Sequence, residues 1–284
     1  MSDNLFSFSG RVALVTGGGS GLGSYIAKGL VEAGASRVYI TGRRAPALQG
    51  IAETAPDRII PIVGDVATIE GCRRVTGDFI AGEKNAGVVE KDVKLDMLVN
   101  NAGVGLAEGT WGAEATLEEI RDALLTARDV DWAQEFAVNA GSIQWMSACV
   151  LPYLVRAAKT NEGFREGRGC IVNNTSVSAF YYKGQGHLYA ASKAAAHSVT
   201  QSLADKLTRL GVRVNSIAPA NVPSEMNDPS NPQSFISRLK DVIPIGRIGE
   251  AQDVVGTVLY LGSRAGSFVS GTVIAIDGGI LLAH

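Results

Sequence analysis

Short apolar runs alternate with stretches of helical periodicity along most of this chain. Arg11 to Thr16 contains Val-Ala-Leu-Val and passes directly into Gly-Gly-Gly-Ser-Gly-Leu-Gly, after which Leu22, Ile26, Leu30 and Val31 fall on one helical side. This predicts a strand, a glycine turn and a helix. Further strands are predicted at Arg37–Thr41, Arg58–Val63, Leu95–Val99, Cys170–Asn174, Val212–Ala218 and Val273–Ile276. Helical spacing covers Thr68–Ala81, Leu117–Ala127, Trp132–Ala158, His187–Leu210 and Ala251–Leu261. Gly141 interrupts the third of these helices, and Pro152 predicts a kink or break in it. The alternation implies an α/β fold with a mostly parallel, seven-stranded sheet and helices on both faces.

Two regions depart from the pattern. Residues 104–130 carry Gly105, Gly109 and Gly112 and read as a surface excursion. Pro219 to Pro244 contains five prolines among small polar residues, which predicts a mobile flap over about 220–243 rather than packed structure. Without repeat or linker, and with 46% hydrophobic residues to fill one large core, the 284 residues are expected to form a single domain.

Charge narrows the partners. A net charge of -2 with no block of like charges gives no footprint for nucleic acid or an acidic membrane, and no apolar run is long enough to span one. The start, Met-Ser-Asp-Asn-Leu-Phe, has no basic region followed by an apolar run, so a soluble cytoplasmic protein is expected. Cys72, Cys149 and Cys170 have no metal-like spacing, which predicts reduced thiols and no metal site. Small molecules remain as partners.

Three features carry chemistry. The glycine turn between a buried strand and a helix offers free N–H groups and a partial positive charge, a combination that suits a pyrophosphate. Asn100-Asn101-Ala102-Gly103 follows the fourth strand, at the sheet edge where open sheets bind ligands; a turn holding its own backbone is the alternative. Tyr189 and Lys193 stand four apart on an Ala-rich helix, so a phenol and an ammonium share one face. A positive charge about 4 Å away can lower a phenol by roughly three pKa units, into the range of proton transfer near neutral pH. Ser176, thirteen residues before Tyr189 at a strand end, can face the same carbonyl oxygen.

Thr16-Gly17-x-x-x-Gly21-x-Gly23, Asn100-Asn101-Ala102-Gly103, Ser176, Tyr189-x-x-x-Lys193 and Asp277-Gly278-Gly279 together resemble the short-chain dehydrogenase/reductase family over about Gly10 to Gly279. The resemblance implies a Rossmann-type doubly wound fold and hydride transfer between a nicotinamide and a carbonyl or alcohol carbon, similar to 3-oxoacyl-carrier-protein reductases and related ketone reductases. It implies Tyr189 as general acid, Ser176 as hydrogen-bond donor to the alkoxide, Lys193 as tuner of the tyrosine and ribose ligand, and Asn139 as support of a water behind the lysine. Gly17, Ser20, Gly21, Leu22 and Gly23 correspond to the phosphate turn, Asp65 and Val66 to the adenine contact, Asn101 to a ribose-side contact, and Val222 and Ser224 to the carboxamide loop. Where that loop commonly reads Pro-Gly followed by Thr, this chain has Pro219-Ala220 and Ser224. Gly42 stands where NAD-preferring members carry an acid, and Arg43 and Arg44 follow, which points to NADP (NADPH), with NAD possible. A small-molecule carbonyl substrate and a homodimer or homotetramer, formed through the long helices, complete the expectation. An NAD-dependent alcohol or sugar dehydrogenase is the alternative, and a non-catalytic nucleotide-binding protein a further one.

Overall fold

The rows of side chains across the sheet explain its layers. In a computed structural model that describes residues 4–181, 186–231, 234, 236–237 and 240–283, strand β1 (Val12–Thr16) lies between β2 (Arg37–Gly42) and β4 (Met97–Asn100). Ala13 stands beside Val38 and Met97, and Leu14 beside Tyr39 and Leu98. Successive side chains point to opposite faces, so the first row joins one core and the second row the other. The first core includes Ile26, Leu30, Val254 and Val258 from α1 (Gly21–Glu32) and α8 (Ala251–Gly262). The second includes Val75, Phe79, Met146 and Leu154 from α3 (Ile69–Asn85) and α6 (Ser142–Lys159). Every residue of β1 is buried, as a strand covered on both faces requires.

Together with β3 (Ile59–Val63), β5 (Cys170–Asn174), β6 (Arg213–Pro219) and β7 (Val273–Ile276), these strands form one parallel sheet in the order β3-β2-β1-β4-β5-β6-β7. The chain turns outward in opposite directions from β1 and β4. The crevice at their C-terminal ends is where such a sheet binds ligands. The predicted α/β doubly wound fold is the observed one. Helix α2 (Ala45–Ala52) fills the connection after β2, with Pro46 in its first turn, where a missing N–H costs nothing. No helix of the described residues is long and apolar enough to cross a membrane.

Several expectations are corrected. The helix expected over Trp132–Ala158 runs without a break from α5 (Asp129–Phe136) into α6, and its expected interruption at Gly141 takes the form of a π-helical turn at Ala137–Gly141. Pro152 does not break α6, whose buried face (Met146, Val150, Leu154) holds it on the second core through the missing hydrogen bond. In the 104–130 excursion, α4 (Leu117–Leu124) is fixed by a capping box between Thr116 and Glu119 and ends before the expected Ala127. The Pro-rich segment is not merely surface flap. Ile236 and Ile243 are buried, Ile236 N–H donates to Asn227 Oδ1 at 2.8 Å, and Ile243 packs with Val177, Ala220 and Ile280. Apolar residues between the prolines supply that packing. Helix α7 (His187–Leu207) ends in a 3₁₀ turn at Thr208–Leu210.

Candidate active site

The phosphate turn is built for close approach. Gly17 has φ +66°, and a Cβ there would stand 2.9 Å from Ala102 Cα. A Cβ on Gly23 would stand 2.2 Å from Gly17 O, so only glycine lets α1 start this near the turn. Ser20, at the N-cap of α1, does not cap it: its hydroxyl accepts from Arg44 Nη2 at 3.0 Å instead. The first N–H groups of α1 are therefore left without a side-chain cap from Ser20, beside the crevice that Ser20 lines. The groove in front of them, about 200 Å³, is lined by Gly17, Ser20, Arg43, Arg44, Asp65 and Val66. Thr41 also lines it, and its buried Oγ1 has no hydrogen-bond partner among the described residues. An orphaned hydroxyl, free helix N–H groups and two guanidinium groups fit the phosphates of a dinucleotide.

Not every predicted groove residue faces it in the expected way. Arg44 forms an ion pair with Glu225 Oε2 at 2.7 Å, a partner from the Pro-rich segment that sequence reasoning did not anticipate. Asn101 is engaged as a tie: its Nδ2 donates to Thr16 O (3.1 Å) and Gly17 O (3.2 Å), and its Oδ1 accepts from Asn174 Nδ2 at 2.9 Å. The self-holding turn weighed from sequence is not what forms, since each of these partners comes from a distant strand or turn. Val222 is buried, and Ser224 lies against Gly21, closing the Pro-rich segment onto the phosphate turn. Asp65 accepts from Ala67 N–H at 3.0 Å, which fixes the chain after β3.

The catalytic candidates converge at the other end of the crevice. Gly103 joins the two ends: it lines the groove, and a Cβ on it would lie 3.3 Å from both Lys193 Nζ and Asn139 Oδ1. Lys193 is buried in α7 and donates to Asn174 O, at the end of β5, at 2.9 Å. Its Nζ lies 5.7 Å from the centroid of the Tyr189 ring. Ser176, two residues past β5, hydrogen-bonds the Tyr189 phenol and accepts from Ser178 N–H at 3.1 Å. Asn139 sits in the π-helical turn, a feature that recurs at functional sites because it re-aims one side chain. Its amide clasps Val104 at both ends, accepting from N–H and donating to O at 2.8 Å each, and also donates to Ser192 Oγ at 2.9 Å.

The expected tuning of the tyrosine is opposed by its surroundings. Burial pushes the Tyr189 phenol up to about 12; the Ser176 hydrogen bond pulls the other way, and the Glu135 charge adds to the rise. Burial likewise pushes Lys193 down to about 8, with Glu135 opposing it. The ammonium spends a hydrogen bond on Asn174, and the same desolvation acts on both groups of the pair.

Sequence reasoning missed two acids. Glu108, in the loop after β4, accepts from Leu188 N–H at 2.8 Å and Tyr189 N–H at 3.1 Å, so it caps α7 in place of Gly186, which has no side chain to do so. Glu135, in α5, is fully buried against Asn139 and Ser192. Its one sequence signal is a carboxylate four residues before Asn139 among Trp132, Phe136 and Val138. A larger cavity, about 270 Å³, lies between Asn221 and the end of β7 and contains none of the converging residues. We place the site in the groove because the phosphate turn and, through Gly103, the Lys193 end meet there.

A short-chain dehydrogenase family model matches residues 11–234. The chain is 35% identical over 285 residues to a rhamnolipids-biosynthesis 3-oxoacyl-[acyl-carrier-protein] reductase of Pseudomonas aeruginosa, covering 98% of each chain. It is 30% identical over 287 residues to gluconate 5-dehydrogenase of Gluconobacter oxydans, covering 99% of this chain and 98% of that one. An active-site complex of RhlG with NADP from Pseudomonas aeruginosa has a similar fold, with a TM-score of 0.79, 34% identity and 98% of each chain covered. The chain belongs to the short-chain dehydrogenase/reductase family and is an oxidoreductase of that family.

Proposed function

We propose that this enzyme is an NADP-dependent reductase that delivers hydride from NADPH to the ketone carbon of a small molecule, a 3-oxoacyl group or related carbonyl. The observation that carries the reading is the convergence of Ser176, Tyr189, Lys193 and Asn139 on the end of a phosphate-binding groove. Gly17, Ser20, Gly21, Leu22 and Gly23 would hold the pyrophosphate, Arg43 and Arg44 a 2′-phosphate, Asp65 and Val66 the adenine side, and Val222 and Ser224 the nicotinamide side. A bound nicotinamide supplies the hydride.

The remaining steps belong to the chain. Ser176 orients the carbonyl oxygen, and Tyr189 gives its phenolic proton to that oxygen as negative charge develops there, a contribution of about a hundredfold or more. The tyrosinate left behind faces the Lys193 ammonium, whose attraction grows as the phenol loses its proton. Asn139 fixes Ser192 and the Val104 backbone behind the lysine.

A second reading, an NAD-linked alcohol or sugar dehydrogenase, is favoured by the gluconate 5-dehydrogenase relative and by the hold of Glu225 on Arg44. A panel of ketones and alcohols, followed by nicotinamide absorbance with each cofactor, tests both. Ketone reduction with a higher kcat/KM for NADPH than NADH is expected; equal values would show that the arginines do not select and would favour the second reading. The same proposal includes a cytoplasmic homodimer or homotetramer formed through α5, α6 and α7, and a monomer mass in light scattering would remove that part.

A further inference from the structure

Tyr189 sits in the first turn of α7, where the backbone ladder of a helix is incomplete. Leu188 and Tyr189 are its second and third residues, so neither N–H has a carbonyl four residues back within the helix. Gly186, at the N-cap with φ +130°, has no side chain to offer them. The phenolic hydroxyl lies at the far end of a long side chain, so a small tilt of this turn moves the hydroxyl further than it moves the backbone. A misplacement of about 1 Å can cost a reaction about a hundredfold.

The chain after β4 supplies what the turn lacks. Glu108 Oε2 accepts from Leu188 N–H at 2.8 Å and its Oε1 from Tyr189 N–H at 3.1 Å, one carboxylate oxygen for each donor. A carboxylate here also meets the partial positive charge of the helix N-terminus. Trp111 stacks on His187, the residue before them, with ring centroids 5.3 Å apart and 17° between the planes. Gly105 lies against the tyrosine ring itself: a Cβ on it would stand 3.6 Å from Tyr189 Cδ2. The segment that makes these contacts is anchored in turn. Val104 is held at both ends by the Asn139 amide, and Leu106 N–H donates to Glu135 Oε2 at 2.9 Å. Gly109 sits so close to α4 that a Cβ on it would stand 2.2 Å from Ala123 O.

Resting on the reductase reading above, we propose that Glu108 is a positioning residue for Tyr189: its two-pronged hold on the Leu188 and Tyr189 N–H groups fixes the first turn of α7, and with it the aim of the phenol at Ser176 and the substrate oxygen. Lys193 stands one turn further along, where the helix ladder is complete, and has its own hold on Asn174 O at 2.9 Å. Loss of the clamp therefore reaches the proton donor and spares the lysine. A cap that only added stability would leave kcat of the folded protein as it was.

Amide hydrogen exchange in the full chain reads the clamp, and kinetics read its consequence. In Glu108→Ala, exchange at residues 188–189 is expected to quicken by about tenfold or more, with the amides around Lys193 unchanged. In NADPH-dependent reduction of ethyl acetoacetate, kcat is expected to fall by about tenfold to a hundredfold, while the Kd for NADPH from fluorescence titration stays within about twofold. Glu108→Gln keeps one carbonyl acceptor at the same reach and is expected to recover part of the lost kcat. Unchanged exchange at 188–189 overturns the proposal, as does an unchanged kcat or a loss of kcat matched by an equal loss of NADPH binding. A wild type that reduces no ketone removes the reductase reading alone, and quicker exchange in Glu108→Ala still upholds the clamp. If Glu108→Ala does not fold, Glu108→Gln decides on the same readouts with smaller expected changes.

Discussion

At the Lys193 end of the crevice, the polar side chains are shut away from solvent: Glu135, Asn139 and Lys193 are 0%, 1% and 3% exposed. At the Arg44 end, the guanidinium and its partner Glu225 are 61% and 63% exposed. The same sheet edge supports both. Burial at the first end lengthens the reach of every charge and makes each unmade hydrogen bond expensive, so geometry there is fixed by mutual constraint. Water at the second end screens the ion pair and lets side chains exchange partners at small cost. The comparison teaches that chemistry and cofactor choice in this protein are written in different currencies of strength, and that they should respond to mutation on different scales.

The largest effect is expected from Tyr189→Phe, which keeps the packing and removes only the transferable proton. Turnover should fall by about a hundredfold or more, with dinucleotide affinity measured by fluorescence titration nearly unchanged. Retention of a tenth of wild-type kcat would mean that the buried end does not carry the proton. Acidity offers the second test. Lys193, pushed by burial to about 8, is protonated below that value and neutral above it. Carbonyl reduction should therefore be sustained on the acid side of about 8 and fall as pH rises through it, by about tenfold per unit where one proton is required. A rate that is level to pH 10 would separate the lysine charge from the reaction.

How much of this was legible follows from the range of each interaction. The turn from β1 into α1 and the pair Tyr189 and Lys193 are set by neighbours within a few residues, where periodicity and glycine content speak directly. The parallel sheet with helices on both faces followed from alternation. Glu108 and Glu135 stayed silent because their partners are 80 and 57 residues away, Leu188 and Ser192. No local pattern marks a carboxylate that caps a distant helix. Asn101 was legible as a motif but not as a tie, because its role depends on Thr16, Gly17 and Asn174 arriving from three other strands and turns. The Pro-rich segment misled for a different reason: proline content reports a loss of regular structure, while burial of Ile236 and Ile243 depends on the surface they meet.

At the exposed end, Arg43 is the residue to change first, since among the described residues it has no ion-pair partner of its own. Arg43→Ala should weaken NADPH binding by about 1.5 to 3 kcal/mol, the worth of a hydrogen bond to a charged group. NADH binding should change much less, and equal losses for the two would show that the arginine does not read a phosphate.

The smallest effect, and the sharpest probe of the exposed end, is expected from Glu225. Its carboxylate accepts from Arg44 Nη2 at 2.7 Å, and that same nitrogen is 3.0 Å from the Ser20 hydroxyl at the start of α1. A 2′-phosphate bound beside Arg44 must share or displace this partner. Exposed ion pairs contribute about 0.2 to 1 kcal/mol, so Glu225→Gln should tighten NADPH binding by only about 1.5- to 5-fold, with the gain shrinking as salt screens the pair. NADH has no phosphate to profit from the freed guanidinium and should bind as before. If Glu225→Gln instead weakens both cofactors alike, the glutamate acts as a strap from the Pro-rich segment onto the phosphate turn rather than as a competitor for Arg44.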